Sequence, residues 1–339
     1  MRFGIVGTGW RARFYLELAR VLPSRFTVTG IVTRSPDRVA NWDVPAFESV
    51  SQLRDSAFVV TSVPRDVNPQ IVSSLVAMDM PVLSETPALT SMRPLCAGGL
   101  VQVAEQYPLQ PLHFVRAELV RAGVIGTPVN ASVSSTHDYH AVALLRDLLG
   151  VGLAPVRVTA HRHTEQVLRG PDRAGWPESA ELAEADRTFA FLDWDGRTGT
   201  YDFTDGQWWH PLRTHRHAVR GTHGEIVDEE ITRMADHRTP VRSLITRRQT
   251  GLGGNLEGFA LDTLSVDGEV RWRNPYFPAR LSDEEIAIAT LLDRMGAWVA
   301  GEGPPPYPLA QACHDQAISE AIAESWRTGR PVSVESGDL

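Results

Sequence analysis

The first thirty-five residues constrain this chain more than any other stretch. An apolar run, Phe3-Gly4-Ile5-Val6, breaks into Gly7-Thr8-Gly9-Trp10-Arg11-Ala12 and continues as a helix-compatible segment from Arg13 to Val21. A second apolar run, Phe26 to Thr33, follows at the distance a crossover helix requires. Strand, glycine turn, helix and strand in that order read as a βαβ unit with the pattern G-x-G-x-x-A, a dinucleotide site. Gly7 lets the chain turn off the strand, Gly9 removes a Cβ that would block a pyrophosphate, and Ala12 lets helix and strand pack closely. Backbone amides of the helix start, around Thr8, Trp10 and Arg11, then face the phosphates. At the end of the second strand stand Thr33, Arg34 and Ser35. An acid there would accept from a ribose 2′-hydroxyl, whereas an arginine between hydroxyls suits a 2′-phosphate. The expected cofactor is therefore NADP(H), with NAD(H) as the alternative.

A chain of 339 residues is long enough for two domains. Its net charge of −8 argues against a nucleic-acid partner. Cys96 and Cys313 are the only cysteines, both in helix-like segments, which excludes a disulfide scaffold and fits a reducing cytoplasm. No stretch approaches about twenty uninterrupted apolar residues, and no signal-peptide pattern is present. The expectation is a cytoplasmic protein with a small-molecule substrate and no membrane partner.

After the second strand, Ser35-Pro36-Asp37 reads as a helix start leading into Arg38 to Trp42. Phe58 to Ser62 is the next apolar strand, ended by Val63-Pro64; Asn68 to Met78 has helical spacing, and Pro81 to Glu85 is another strand. Apolar strands alternating with helices mean a parallel sheet covered on both faces. Ligands in such sheets sit at the carboxyl ends of the strands, so Gly7, Thr33, Ser62, Val63, Pro64, Glu85, Thr86 and Pro87 should converge on one crevice. Beyond Gly126 the chain is rich in strand-like runs without interleaved helices, from Val129 to Ser135 through Phe259 to Trp272, which predicts antiparallel pairing. Ser282 to Val299 and Pro308 to Thr328 are helical by pattern, the first opened by a Ser282/Glu285 capping box. Glu165 to Glu184, rich in Gly, Pro and charge, is the expected mobile loop.

The ordered motifs Gly4-Ile5-Val6-Gly7-Thr8-Gly9-Trp10, Val82-Leu83-Ser84-Glu85-Thr86-Pro87, Gly123-Val124-Ile125-Gly126-Thr127-Pro128, and His140 followed by Gly150 resemble the Gfo/Idh/MocA family of NAD(P)-dependent oxidoreductases. Val219 to Ile226, Tyr307-Pro308-Leu309 and Gly329 to Val332 resemble it too, so the likeness runs along nearly the whole chain. The resemblance implies an α/β fold: an N-terminal Rossmann domain over residues 1–107 and a C-terminal α/β domain over residues 108–339 with a large, mostly antiparallel open sheet. It also implies that the helices around 308–328 return towards the Rossmann side, and that the large sheet pairs subunits into a homodimer or homotetramer. In that family a lysine in Glu-Lys-Pro and an Asp-x-x-x-His pair usually manage the proton. Here Thr86 holds the lysine position and Thr136 the Asp position, so the ordinary relay is missing.

What remains is His137-Asp138-Tyr139-His140, between a strand and the helix Ala141 to Leu149. Side chains at such a junction can point into a cleft. His140 is the candidate acid or base, with Tyr139 and Asp138 as assistants and Thr86 as a hydrogen-bond donor to a substrate oxygen. Gln207-Trp208-Trp209-His210, if extended, points its indoles to opposite sheet faces, one of them a platform for a ring-shaped substrate, so Trp208, Trp209 and His210 are candidate substrate contacts. His161, His163, His215 and His217 lack a visible third metal ligand, so no metal is expected. Arg247-Arg248 reads as a solvated pair. The leading expectation is hydride transfer on a small hydroxylated or carbonyl compound such as a sugar or cyclitol derivative, with His140 as acid/base. The alternatives are an imine reductase in a biosynthetic pathway and a catalytically degenerate cofactor-binding sensor or partner protein.

Overall fold

Phe3 to Val6 are buried on both faces, as a strand must be when helices cover both sides of a parallel sheet. The computed structural model describes residues 1–336. Its first half runs β1 (Arg2–Val6), α1 (Trp10–Val21), β2 (Thr27–Val32), β3 (Ala46–Phe47), β4 (Phe58–Thr61), α2 (Asn68–Val76), β5 (Val82–Ser84) and β6 (Val101–Val103). These strands form one parallel sheet in the order β3-β2-β1-β4-β5-β6. The order reverses between β1 and β4, which opens a crevice beyond their carboxyl ends. Two local expectations change. The segment after Ser35 is a single 3-10 turn, Pro36–Val39, in place of a helix reaching Trp42. The crossover from β5 to β6 is likewise 3-10, Thr90–Gly98, because Pro94 inside it removes a donor that an α-helix needs.

The second half continues with α3 (Pro111–Arg121), β7 (Pro128–Ser134), α4 (Asp138–Leu149), β8 (Val156–Leu168), β9 (Leu182–Asp193), β10 (Thr198–Thr204) and β11 (Arg216–Gly221). Then come β12 (Gly224–Val227), β13 (Glu230–Met234), β14 (Pro240–Leu244), β15 (Thr246–Thr250), β16 (Ala260–Val266), β17 (Glu269–Arg273), α5 (Asp283–Val299), α6 (Leu309–Thr328) and β18 (Val332–Val334). Nine of these strands form a sheet in the order β14-β13-β12-β11-β7-β10-β9-β8-β18. Only β7 and β10 pair in parallel, so the sheet is mostly antiparallel. The remaining strands make a separate sheet, β15-β16-β17.

The ribbon of β8 and β9 runs further than composition suggests. Pairing continues through Thr164↔Asp186 to Leu168↔Leu182, which shrinks the loop expected over 165–184 to residues 169–181. Cross-strand polar pairs such as Thr164 Oγ1 to Asp186 Oδ1 (2.6 Å) hold a ribbon that has few apolar residues to bury. Of the pair Arg247 and Arg248, only Arg248 is solvated, its exposed guanidinium donating to Asp262; Arg247 is half-buried and donates to Asp283. Helix α5 opens with the Ser282/Glu285 capping box, Ser282 Oγ accepting from the Glu285 amide. Helix α6 packs on β8 and on the 3-10 segment that follows β5, tying the two sheets together. Among the described residues no helix is long and apolar enough to cross a membrane.

Candidate active site

The crevice at the carboxyl ends of β1, β2, β4 and β5 has a volume of about 940 Å³. Gly7 through Arg11, Thr33 through Ser35, Ser62 through Pro64, Glu85 and Thr86 all line it; Pro87 does not. The two glycines hold it open for different reasons. Gly7 has a φ of +112°, and a Cβ there would run into the carbonyl oxygen of Ser62. Its smallness serves the fold. Gly9 has an ordinary φ of −71° and a Cβ on it would meet no protein atom within 4 Å. No protein atom requires its smallness, and it lines the crevice. Gly9 also caps α1 without a side-chain partner for the helix amides, and the first turn carries no acid, so the free donors remain available to an anion.

Arg11, although it lines the crevice, is committed to protein carboxylates: its guanidinium donates to Glu284 at 2.7 Å and lies 3.7 Å from Glu85. Burial alone would lower the Arg11 pKa, and Glu85 and Glu284 overcome it and raise it. Burial pushes the Glu85 carboxyl up, opposed by Arg11 and by the Tyr15 hydroxyl that donates to it. Cations without such partners lie elsewhere. Arg34 and Arg38 line the end of the crevice beyond β2 and make no ion pair among the described residues, while Glu48 lines the same end. Arg173, on the loop between β8 and β9, reaches over from the other sheet. Its guanidinium carbon sits 4.7 Å from the Trp10 ring centroid and 5.9 Å from that of Trp209, held by both indoles at the crevice wall.

Opposite the glycine turn, the start of α4 presents His137, Tyr139 and His140 to the crevice. His140 is 5% exposed, and its Nδ1 lies 2.6 Å from Oε2 of Glu105, itself 3% exposed. The other oxygen of Glu105 accepts the backbone N–H of Tyr107 at 3.2 Å. Rings of Tyr139, Tyr107 and His137 surround His140 at 4.4, 4.5 and 5.1 Å between centroids. Burial pushes the Glu105 carboxyl up to about 8 and drives the His140 imidazole down, with the Arg11 charge adding to the second effect. Burial also lowers the His137 pKa and raises that of Tyr139. Asp138 is absent from this wall. With a φ of +44°, it turns its amide and carboxylate towards the Tyr201 hydroxyl, at 3.2 and 3.4 Å.

The Trp208-Trp209 pair is not extended. It lies in a turn after β10 with ring centroids 5.6 Å apart, so the indoles are not on opposite faces of a strand. Phe203 and His137 enclose Trp208 at 4.7 Å each, Trp209 faces Arg173, and His210 Nε2 reaches the Leu168 carbonyl at 2.5 Å. None of the three lines the crevice. Sequence reasoning missed Glu105, Tyr107 and Arg173. The run Leu100 to Ala104 after Gly98-Gly99 is a short buried strand by pattern, and an acid at its carboxyl end was the available signal for Glu105.

No family model and no curated protein matches the chain. Solved structures do. Levoglucosan dehydrogenase in its apo form superposes with a TM-score of 0.71 at 15% identity, over 99% of each chain. The chain has the fold of NAD-binding oxidoreductases. An NAD-binding oxidoreductase from Klebsiella pneumoniae gives 0.69 at 14% identity over 98% of this chain and 99% of that one. GenD2 from gentamicin A biosynthesis, in complex with NAD, gives 0.66 at 18% identity over 99% and 96%. This is the two-sheet α/β fold implied by the resemblance to Gfo/Idh/MocA oxidoreductases.

Proposed function

We propose that this chain is an NADP(H)-dependent oxidoreductase acting on a small hydroxylated or carbonyl compound of the sugar or cyclitol kind. The observation that carries the reading is the single crevice that joins an uncapped helix start and an unfilled Gly9 to a wall bearing His140. The residues fit a dinucleotide: free amides for the pyrophosphate, and unpaired Arg34 and Arg38 outweighing Glu48 at the end where a 2′-phosphate would lie. When bound, such a cofactor supplies or accepts a hydride. The protein's part is the proton. His140 takes it from a substrate hydroxyl in oxidation and returns it in reduction, while the Tyr139 and Thr86 hydroxyls orient the substrate oxygen. The names of the structural neighbours support the substrate class, one of them being levoglucosan dehydrogenase in complex with NADH and levoglucosan.

Within this reading, residues 1–107 are the cofactor domain and residues 108–339 the substrate and oligomerisation domain. Phe189 and Phe191, 46% and 42% exposed on β9, support pairing of the large sheet between copies of the chain. Two free cysteines fit a reducing cytoplasm. The test is turnover of polyols and their carbonyl forms with NADP(H), with His140→Ala as control. His140→Ala is expected to lower kcat by roughly 10²–10⁴-fold at unchanged cofactor affinity; unchanged kcat would remove His140 from the mechanism.

A further inference from the structure

We infer that Glu105 is the positioning residue that decides which nitrogen of His140 carries the proton, and that it thereby replaces the lysine absent at position 86. The inference rests on the oxidoreductase reading of the crevice. Glu105 lies two residues beyond β6, and its Oε1 is held by the Tyr107 amide, which leaves Oε2 facing His140 Nδ1 at 2.6 Å. His140 Nε2 has no protein partner among the described residues and belongs to a ring that lines the crevice. The charged and titratable groups facing the pair are Arg11 from α1, Glu85 from the end of β5, Glu284 from α5, Tyr107 beside β6, His137 and Tyr139 from the start of α4, and Tyr307 and Asp315 from the α6 side.

Two states of the pair follow from its burial. With Glu105 ionised, the Nδ1–H donates to Oε2 and Nε2 is a lone pair, a base. With Glu105 protonated, its O–H donates to Nδ1 and Nε2 carries hydrogen, an acid. Oxidation of a secondary alcohol moves the pair from the first state to the second. A bound nicotinamide would accept the carbon's hydrogen with both its electrons, while the O–H electron pair becomes the second bond of C=O. The hydroxyl proton goes to Nε2, and the Nδ1 proton shifts to Oε2. One substrate proton ends on the pair and passes to solvent; reduction runs the same steps backwards. A carboxylic acid that burial holds protonated near neutral pH supplies through His140 the proton that an ammonium would give directly.

The first test needs no substrate. In the full chain labelled with ¹⁵N-histidine, with His140→Asn to assign the signal, the His140 ring is expected to change from the Nδ1–H to the Nε2–H form as pH falls from 9 to 6.5. Glu105→Gln is expected to abolish the change. A wild-type ring that keeps one form across that range overturns the inference, even if the variants do not fold. The second test reads turnover. Wild-type carbonyl reduction is expected to decline as pH rises through about 8, the value to which burial pushes Glu105. Glu105→Gln should lose that limb and roughly 10²-fold in kcat at unchanged KM, and Glu105→Asp should return part of both. A Glu105→Gln enzyme that is slower but keeps the wild-type pH profile shows a merely structural carboxylate and overturns the inference. A wild-type chain that switches its tautomer yet turns over nothing with NADP(H) overturns the oxidoreductase reading and leaves the pairing intact.

Discussion

Glu105 and His140 lie 35 residues apart in sequence and 2.6 Å apart in the crevice wall, tying the end of β6 to the first turn of α4. Stability must therefore follow the titration of the pair. In the unfolded chain the two groups titrate near 4.5 and 6.5; folded, the pair takes its first proton near 8 and its second only at far lower pH. Between pH 6.5 and 8 the folded state binds the extra proton, so its stability falls as pH rises, by about 1.4 kcal/mol per pH unit. Below about 4.5 the unfolded chain binds more protons and stability falls again as pH falls. Glu105→Gln is expected to be flat between 6.5 and 8 and to lose stability below 6.5, where only the unfolded histidine can charge. Denaturant titrations of both chains read by difference the pair together with the two acids whose titration Glu105 raises, Glu85 and Asp315, and cancel the acids that do not feel Glu105. Parallel curves would show that the pair does not titrate as a unit.

The two glycines of the turn should separate fold from ligand. Gly7→Ala places a Cβ against the Ser62 carbonyl at a positive φ and is expected to destabilise by about 3 kcal/mol. Gly9→Ser adds an oxygen that can cap α1, so stability should hold or rise by about 0.3 kcal/mol, while dinucleotide affinity falls at least roughly tenfold. Thermal unfolding and cofactor titration of both variants check this. Equal destabilisation by the two substitutions would mean that Gly9 also serves the fold.

Arg173 has no acid partner among the described residues and is held by Trp10 and Trp209 at the mouth of the crevice. Arg173→Ala is expected to weaken cofactor binding by roughly fivefold, about 1 kcal/mol, at nearly constant stability. Salt should weaken the wild type more than the variant, because the lost contact is a screened charge pair. If KM for the small substrate rises and cofactor affinity does not, the cation faces the substrate instead.

Much of the parallel-sheet half was legible because its evidence is local. Gly7-Thr8-Gly9 and the apolar strands on either side of it state their geometry within thirty-five residues, and the crevice residues follow from where those strands end. The wall that faces them was harder to read. His140 stood out as an ionisable residue at a strand-helix junction, but its partner Glu105 follows a three-residue strand preceded by an irregular 3-10 crossover, with no period to detect. The Trp208-Trp209 pair misled for the opposite reason. Adjacent aromatics have strand propensity, yet the chain turns after Thr204, where Gln207 Oε1 accepts the Thr204 amide and its Nε2 donates to the Ser134 carbonyl. Propensity lost there to side-chain hydrogen bonds that close a turn.

The most direct measurement is a titration of the wild-type chain and Arg34→Ala with NADPH and NADH, followed by tryptophan fluorescence, since Trp10 lines the crevice. NADPH is expected to bind the wild type at least about tenfold more tightly than NADH, a difference of about 1.4 kcal/mol, and Arg34→Ala should remove most of that preference. A preference for NADH would assign the 2′ end to Glu48 and the cofactor to NAD(H), and equal affinities would remove Arg34 as the reader of that end. Binding of neither nucleotide would contradict the oxidoreductase reading itself.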